Sequence, residues 1–237
     1  MPYRVPSALV LLALVALSGR ASAAERNVYI GSFDTVRIQG AFEVRVETGR
    51  SPGATISGDS RVLDSVEIRV DGTTLLVRPA SGAWGERPRA SAREPVTITL
   101  ATPNLVSASM FGAGRLGIGT MKGARIDLAV TGNGGITVAA IDADAANATI
   151  IGGGAITMAG RTGKARLMTN GPGTIDASGL DAGDLVVRLD GPGTTQARAR
   201  YTAQVANTGL GAVTIEGSPK CTVKSDAGGP VTCGPTS

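Results

Sequence analysis

The sequence predicts an all-β fold, a right-handed parallel β-helix wound in coils of roughly 18–20 residues. A Gly-x-Gly turn followed by an apolar residue recurs at Gly112-Ala113-Gly114, Gly132-Asn133-Gly134, Gly152-Gly153-Gly154, Gly171-Pro172-Gly173, Gly191-Pro192-Gly193 and Gly209-Leu210-Gly211, with a worn copy at Ala227-Gly228-Gly229. Two residues past each turn stand Leu116, Ile136, Ile156, Ile175, Thr195, Val213 and Val231, at steps of 20, 20, 19, 20, 18 and 18. A fixed period of this length is the mark of a solenoid. The residues around each turn also alternate at period two, as half-buried strands do.

The chain opens with Arg4, the apolar run Ala8 to Leu17 and the small-x-small site Ala21-Ser22-Ala23. This reads as a secretory signal peptide over residues 1–23, its apolar run being too short for a membrane span of about twenty residues. Residues 24–237 then read as a single β-helical domain. Over 24–105 the period is absent but strands continue. Val36-Arg37-Ile38, Phe42 to Glu47 and Val66 to Val70 alternate, and Asp71-Gly72 before Leu75-Leu76-Val77 is a hairpin signal. These strands are expected to cap the solenoid or form its first coils, because an open end exposes unpaired backbone and core.

Residues 80–94 interrupt the strands with the only tryptophan, Trp84, and with Arg87, Arg89 and Arg93. Trp84, Arg87 and Arg89 are the ligand-contact candidates, a ring and two guanidinium groups able to grip a sugar or an acidic partner. The commoner role of such a segment is a solvated loop with its tryptophan tucked against the cap.

From 106 to 237 the columns repeat. Ile118, Val138, Met158, Ala177, Ala197, Ile215 and Cys233 are expected to point inward, and so is a second set before each turn, Leu128, Ala148, Leu167, Val187, Val205 and Val223. The alternate positions Thr137, Thr157, Asp176, Gln196 and Thr214 face out as a polar ladder. Cys221 and Cys233 both fall in inward columns of the last coil. Export permits their oxidation, but opposed sheets stand roughly 10 Å apart and a disulfide needs Cα atoms within about 7 Å. A Cys221–Cys233 bridge therefore requires the solenoid to taper; otherwise the thiols are buried and free.

Composition narrows the function. Without the leader the chain has 21 basic and 19 acidic residues, and its arginines are scattered among few aromatics, so neither a phosphate-tracking stripe nor a stacking platform for nucleic acid is expected. There is no histidine, which excludes Ser-His-Asp, Cys-His and His-ligated metal schemes. Gly112 to Gly117 fits G-x-G-x-x-G, yet the repeat explains its glycines and no helix follows. No cofactor is expected. Calcium in the turns is disfavoured, because Gly152-Gly153-Gly154 is followed by Ala155 where a nonapeptide repeat needs an aspartate. Asp142 and Asp144, with Asp176, Asp181, Asp184 and Asp190 in later coils, form the one set of carboxylates a glycosidase could use. They fall in stretches that read as turns, where aspartate commonly bonds its own backbone.

Phe33-Asp34-Thr35-Val36 with Ile38-Gln39-Gly40, then Ile56-Ser57-Gly58-Asp59, Val62-Leu63-Asp64, Val66 through Val77, Val96-Thr97-Ile98 with Pro103-Asn104-Leu105, and the Gly-x-Gly coils resemble the bacterial head GIN domain family of autotransporter adhesin heads. The resemblance spans nearly all of residues 24–237. It implies a β-helical fold in an exported protein, an adhesin-like role and no catalytic residues. Unlike an autotransporter, the chain reads to Gly234-Pro235-Thr236-Ser237 without membrane-barrel strands.

The sequence reading is thus an exported, non-enzymatic module of the cell envelope, periplasmic or at the surface. Its expected partner is an envelope polysaccharide or protein, or a second copy of itself. The alternative is a polysaccharide-active lyase or hydrolase using surface carboxylates.

Overall fold

The computed structural model describes residues 24–58, 63–80, 96–226 and 228–234; the leader and Trp84, Arg87 and Arg89 lie outside them. Among the described residues, sixteen strands form one continuous sheet that coils on itself. In the repeated half, strands β9 (Arg115–Gly132), β10 (Gly135–Ile151), β11 (Ala155–Asn170), β12 (Thr174–Asp190) and β13 (Thr194–Asn207) each bend through a corner and stack in parallel on the next. Leu116, Ile136, Ile156, Ile175, Thr195, Val213 and Val231 follow one another in register, one per coil. All but Val231 are buried. The result is a β-solenoid of mostly parallel strands.

Two interior columns escape the sequence reading. Val130, Ile150, Thr169, Leu189 and Asn207 stack in register just before the turns, all buried. Met121, Ile141 and Leu180 fill the corner, with Gly160 standing between the last two. Polar members in the first and a glycine in the second break the apolar pattern.

Glycine is obligatory at the turns for two separate reasons. Gly152 has φ +111°, a backbone conformation that L side chains avoid, and a Cβ there would stand 2.8 Å from the carbonyl oxygen of Gly132 one coil below. Gly154 has no positive φ, but its Cβ would meet the oxygen of Gly134 at 2.6 Å and the Val130 side chain at 2.4 Å. The first glycine bends the chain, and the third lets one turn lie on another.

The N-terminal region supplies both first coils and a cap. Strands β2 (Thr35–Gln39) and β3 (Glu43–Thr48), joined by a turn at Gly40 with φ +118°, are a full member of the stack. β2 lies parallel to β8 (Ser107–Gly112), which lies on the second half of β9, while β3 lies on the first half of β9. On the other side β2 meets β6 (Thr74–Pro79) and β3 meets β7 (Thr97–Thr102), again in parallel. Three antiparallel strands close the end: β4 (Gly53–Gly58) on β7, β1 (Ala24–Val28) on β4, and β5 (Val66–Asp71) on β6 through the Gly72 hairpin. Phe33, Leu63 and Leu105 are buried in the same core. The period vanishes here because residues 49–106 are inserted between β3 and the next turn of the stack.

At the other end β14 (Ala212–Gly217) and β15 (Lys220–Ser225) share β13 as neighbour, and β16 (Val231–Cys233) lies on β14. Cys221 and Cys233 are bridged with Cα atoms 6.4 Å apart, well inside the separation of stacked sheets, so the interior does taper at the last coil. Val223 is a correction. It continues the Val205 column in register but is 43% exposed, because no further coil covers β15.

Replacing Gly152 by Ala is expected to destabilise the protein by about 1–3 kcal/mol, with Gly31→Ala near neutral because a Cβ there meets nothing within 4 Å; chemical denaturation of the two variants checks this. Replacing both cysteines by serine closes no loop across the 12-residue separation and is expected to cost about 3 kcal/mol. That loss should fall on the last coil, read as faster amide exchange in β15 and β16 than in β10.

Candidate functional site

The residues open to a ligand are those on the outer faces, where stacking fixes their spacing. Thr137, Thr157, Asp176, Gln196 and Thr214 stand in register and point outward, as the alternation predicts. Near the N-terminal end of this face a groove of about 520 Å³ runs past the turns, lined by Glu43, Arg45, Arg115, Asn133, Thr137 and Thr157. Arg45 and Glu43, two residues apart on β3, pair beside it at 3.5 Å.

A second ladder lies at the corner. Lys122, Asp142, Arg161, Asp181, Arg198 and Glu216 are register partners in succession, so charge alternates coil by coil. Arg161 donates from Nε and Nη2 to the two Asp142 oxygens at 2.9 and 3.1 Å. Arg198 donates to Glu216 at 2.8 Å, and Asp181 pairs with Arg200 at 3.3 Å. This ladder was not found in the sequence because its members sit after the corner, where the register shifts between Val138 and Ile141, between Thr157 and Ala159, and between Ala177 and Asp181. Their spacing from the turns therefore drifts.

The aspartates are corrected by the same geometry. Asp142 and Asp144 lie within β10 and Asp181 and Asp184 within β12, in strand and not in turns. Asp184 accepts from the Thr202 hydroxyl at 2.7 Å in the coil above. Only Asp176 behaves as the sequence suggests, accepting from the Ser178 N–H at 3.1 Å. The hydrogen bonds and charge of Arg161 hold the Asp142 carboxyl below the usual aspartate range, the opposite of what a general acid needs. Two rings near the outer face are also engaged: Arg37 lies over Phe111 at 5.4 Å and Arg200 over Tyr201 at 5.3 Å. Each guanidinium covers one face of its ring, and Tyr201 remains 63% exposed.

Gly112 to Gly117 lead directly into β9 and not into a helix. Among the described residues no group of three or more His, Cys, Asp or Glu is arranged to hold a metal ion, and no helix is long and apolar enough to cross a membrane.

A family profile described as "Putative auto-transporter adhesin, head GIN domain" matches residues 32–219. The chain belongs to this head GIN family. Solved structures share its fold. A putative adhesin from Bacteroides fragilis NCTC 9343 is 20% identical over 91% of this chain and 98% of its own, with a TM-score of 0.80. A putative adhesin from Parabacteroides merdae ATCC 43184 is 16% identical over 90% and 97%, with a TM-score of 0.70. A putative lipid binding protein from Parabacteroides distasonis ATCC 8503 is 17% identical over 92% and 96%, with a TM-score of 0.64. At these identities the likeness is one of fold. No curated protein matches. The matched span of the head GIN profile begins beside Phe33 and ends in the loop before β15, so it takes in both ladders and leaves the terminal β15 and β16 outside.

Asp142 contributes stability that is present above its unfolded pKa and lost as pH falls through its lowered folded value. Carboxyl NMR titration is expected to place its midpoint below that of an ordinary aspartate and to return it there in Arg161→Gln. An unchanged midpoint in the variant would show that the ladder does not act on Asp142.

Proposed function

We propose that this head GIN domain is an exported, non-enzymatic binding or scaffold module of the cell envelope, whose outer face holds a repeating envelope polysaccharide or the surface of an envelope protein. The observation behind this reading is the regular ladder Thr137, Thr157, Asp176, Gln196 and Thr214. It offers hydrogen-bonding groups one coil apart, at about 4.8 Å, on a backbone that cannot rearrange without breaking its neighbours. Membership of a family described as adhesin heads supports the same reading. In the proposed form residues 1–23 are removed, residues 24–237 fold as one domain, and the coils of 18–20 residues wind to the right, as other parallel crossovers do.

The polysaccharide-active alternative is less well supported. Its best carboxylate, Asp142, is tied to Arg161 on both oxygens and is shifted toward the ionised form. A glycosidase pair requires one carboxyl kept protonated.

The test is capture on an array of envelope polysaccharides and envelope proteins, using protein recovered from the cell envelope fraction with its N-terminus mapped near Ala24. Capture without release of reducing ends or unsaturated products is expected. Thr157→Arg with Gln196→Arg should weaken it at least tenfold. Trp84→Ala reports on the 80–94 segment, and equal capture would clear Trp84 of a role. Product release that Asp142→Asn and Asp144→Asn abolish would overturn the binding reading in favour of the enzyme.

A further inference from the structure

The two ends of the rod differ from its sides in having free strand edges. Among the described residues four strands have a single neighbour, β5 (on β6) and β1 (on β4) at one end and β15 (on β13) and β16 (on β14) at the other. On β5 the Val66 carbonyl accepts from Arg26 at 3.2 Å, so the edge open to another strand is the Glu67–Asp71 part. An open edge is a template for another strand, and charges placed along it decide which strand.

On β15 the outward side chains are Lys220, Thr222 and Lys224, while Cys221 and Val223 continue the interior columns of Ala203 and Val205. On β5 the outward side chains are Glu67, Arg69 and Asp71, while Ile68 and Val70 pair with the buried Val77 and Leu75. One edge reads Lys-Thr-Lys on its outer face and the other Glu-Arg-Asp, with apolar residues or a bridged cysteine between them.

We propose that a second copy of this chain adds end to end, its β5 laid antiparallel along β15 of the first. The direction follows from the sheet, because β15 runs parallel to the whole stack down to β6 and β5 runs against β6. In the matching register Lys220 stands opposite Asp71, Thr222 opposite Arg69 and Lys224 opposite Glu67. The same register places Val223 opposite Ile68 and Cys221 opposite Val70, extending the interior across the junction and covering the exposed Val223.

The charge pattern disfavours the other registers and the self-pairings of these two strands. A slip of two residues either way sets a lysine against Arg69, and a slip of one turns Val223 outward. Two copies of β15 paired antiparallel about Thr222 oppose Lys220 to Lys224. Two copies of β5 paired about Arg69 oppose Glu67 to Asp71. Each edge therefore repels itself and accepts the other, the condition for a head-to-tail contact and not a two-fold one. Within one chain Glu67 pairs with Arg78 at 3.0 Å and Asp71 with Arg69 at 3.7 Å; these carboxylates have free lone pairs for a second cation. The sides of the rod, and whatever ligand they hold, are untouched by this contact.

Sedimentation velocity at low ionic strength tests it on four samples: wild type, Lys220→Glu with Lys224→Glu, Glu67→Lys with Asp71→Lys, and an equimolar mixture of the two variants. Wild type is expected to form a concentration-dependent series of end-to-end species that salt dissolves. Each variant alone should associate at least tenfold more weakly, since both its edges then have one sign. The mixture should regain association, which also shows that both variants are folded. Wild type that remains a single monomeric species at its highest soluble concentration would overturn the proposal. So would association unchanged by either charge reversal, or a mixture no better than its parts. Ligand capture by the monomeric variants separates this outcome from that of the surface-binding reading.

Discussion

Every feature of this protein answers to one constraint: in a parallel stack each residue lies directly over its counterpart one coil away. Like therefore sits on like, and only some residue types tolerate that. Aliphatic side chains gain from it, because Ile136, Ile156 and Ile175 bury one another and a row of such contacts becomes a continuous core. Charges do not. At about 4.8 Å a column of one sign would repel at every step, and the corner avoids this by alternating Lys122, Asp142, Arg161, Asp181, Arg198 and Glu216. Stacked turns tolerate a side chain least, since the carbonyl of one loop occupies the place where a Cβ of the next would lie.

The same constraint explains what could be read in the sequence. Wherever the stack meets a turn, the spacing from glycine to strand is rigid, so the columns beginning at Leu116 and Ile118 were legible, as was the outward ladder that starts at Thr137. Past the corner the coils differ by one to three residues, absorbed as bulges. Alignment on the turns loses its phase there, and with it the charge ladder and the Met121 column. Asp142 and Asp181 consequently looked like loop residues. The first coil was hidden for another reason. Val36-Arg37-Ile38-Gln39-Gly40 has the form of Leu128-Ala129-Val130-Thr131-Gly132, but the insertion 49–106 separates it from the repeats by far more than one period. That Gly40 and Gly112 are stacked turns is evident only once strands are paired.

The ends show how differently an unfinished stack can be closed. At the N-terminus the chain reverses, and antiparallel β1, β4 and β5 cover the first parallel strands. Reversal breaks the like-on-like rule, because a strand running backwards presents a new sequence to its neighbour. At the C-terminus the chain runs on in parallel, and a disulfide draws the two sides together to 6.4 Å between Cα atoms. A covalent clamp suits that place, since a terminal coil has a neighbour on one side only and gains about half the stacking of an interior one.

A stack of this kind also bears on what the surface can do. Catalysis by carboxylates requires two neighbouring groups with unlike surroundings, one of them shielded enough to stay protonated. Along a regular face the surroundings repeat, and the partners that relieve repulsion between coils are cations set against the carboxylates. Asp142 illustrates this, since Arg161, the residue that makes its coil compatible with the next, is also the one that lowers its pKa. A lattice of evenly spaced polar side chains is instead suited to many weak contacts with an extended partner, in which affinity grows with the number of coils engaged. On that argument the length of the rod, and not any single residue on it, sets how firmly such a surface holds.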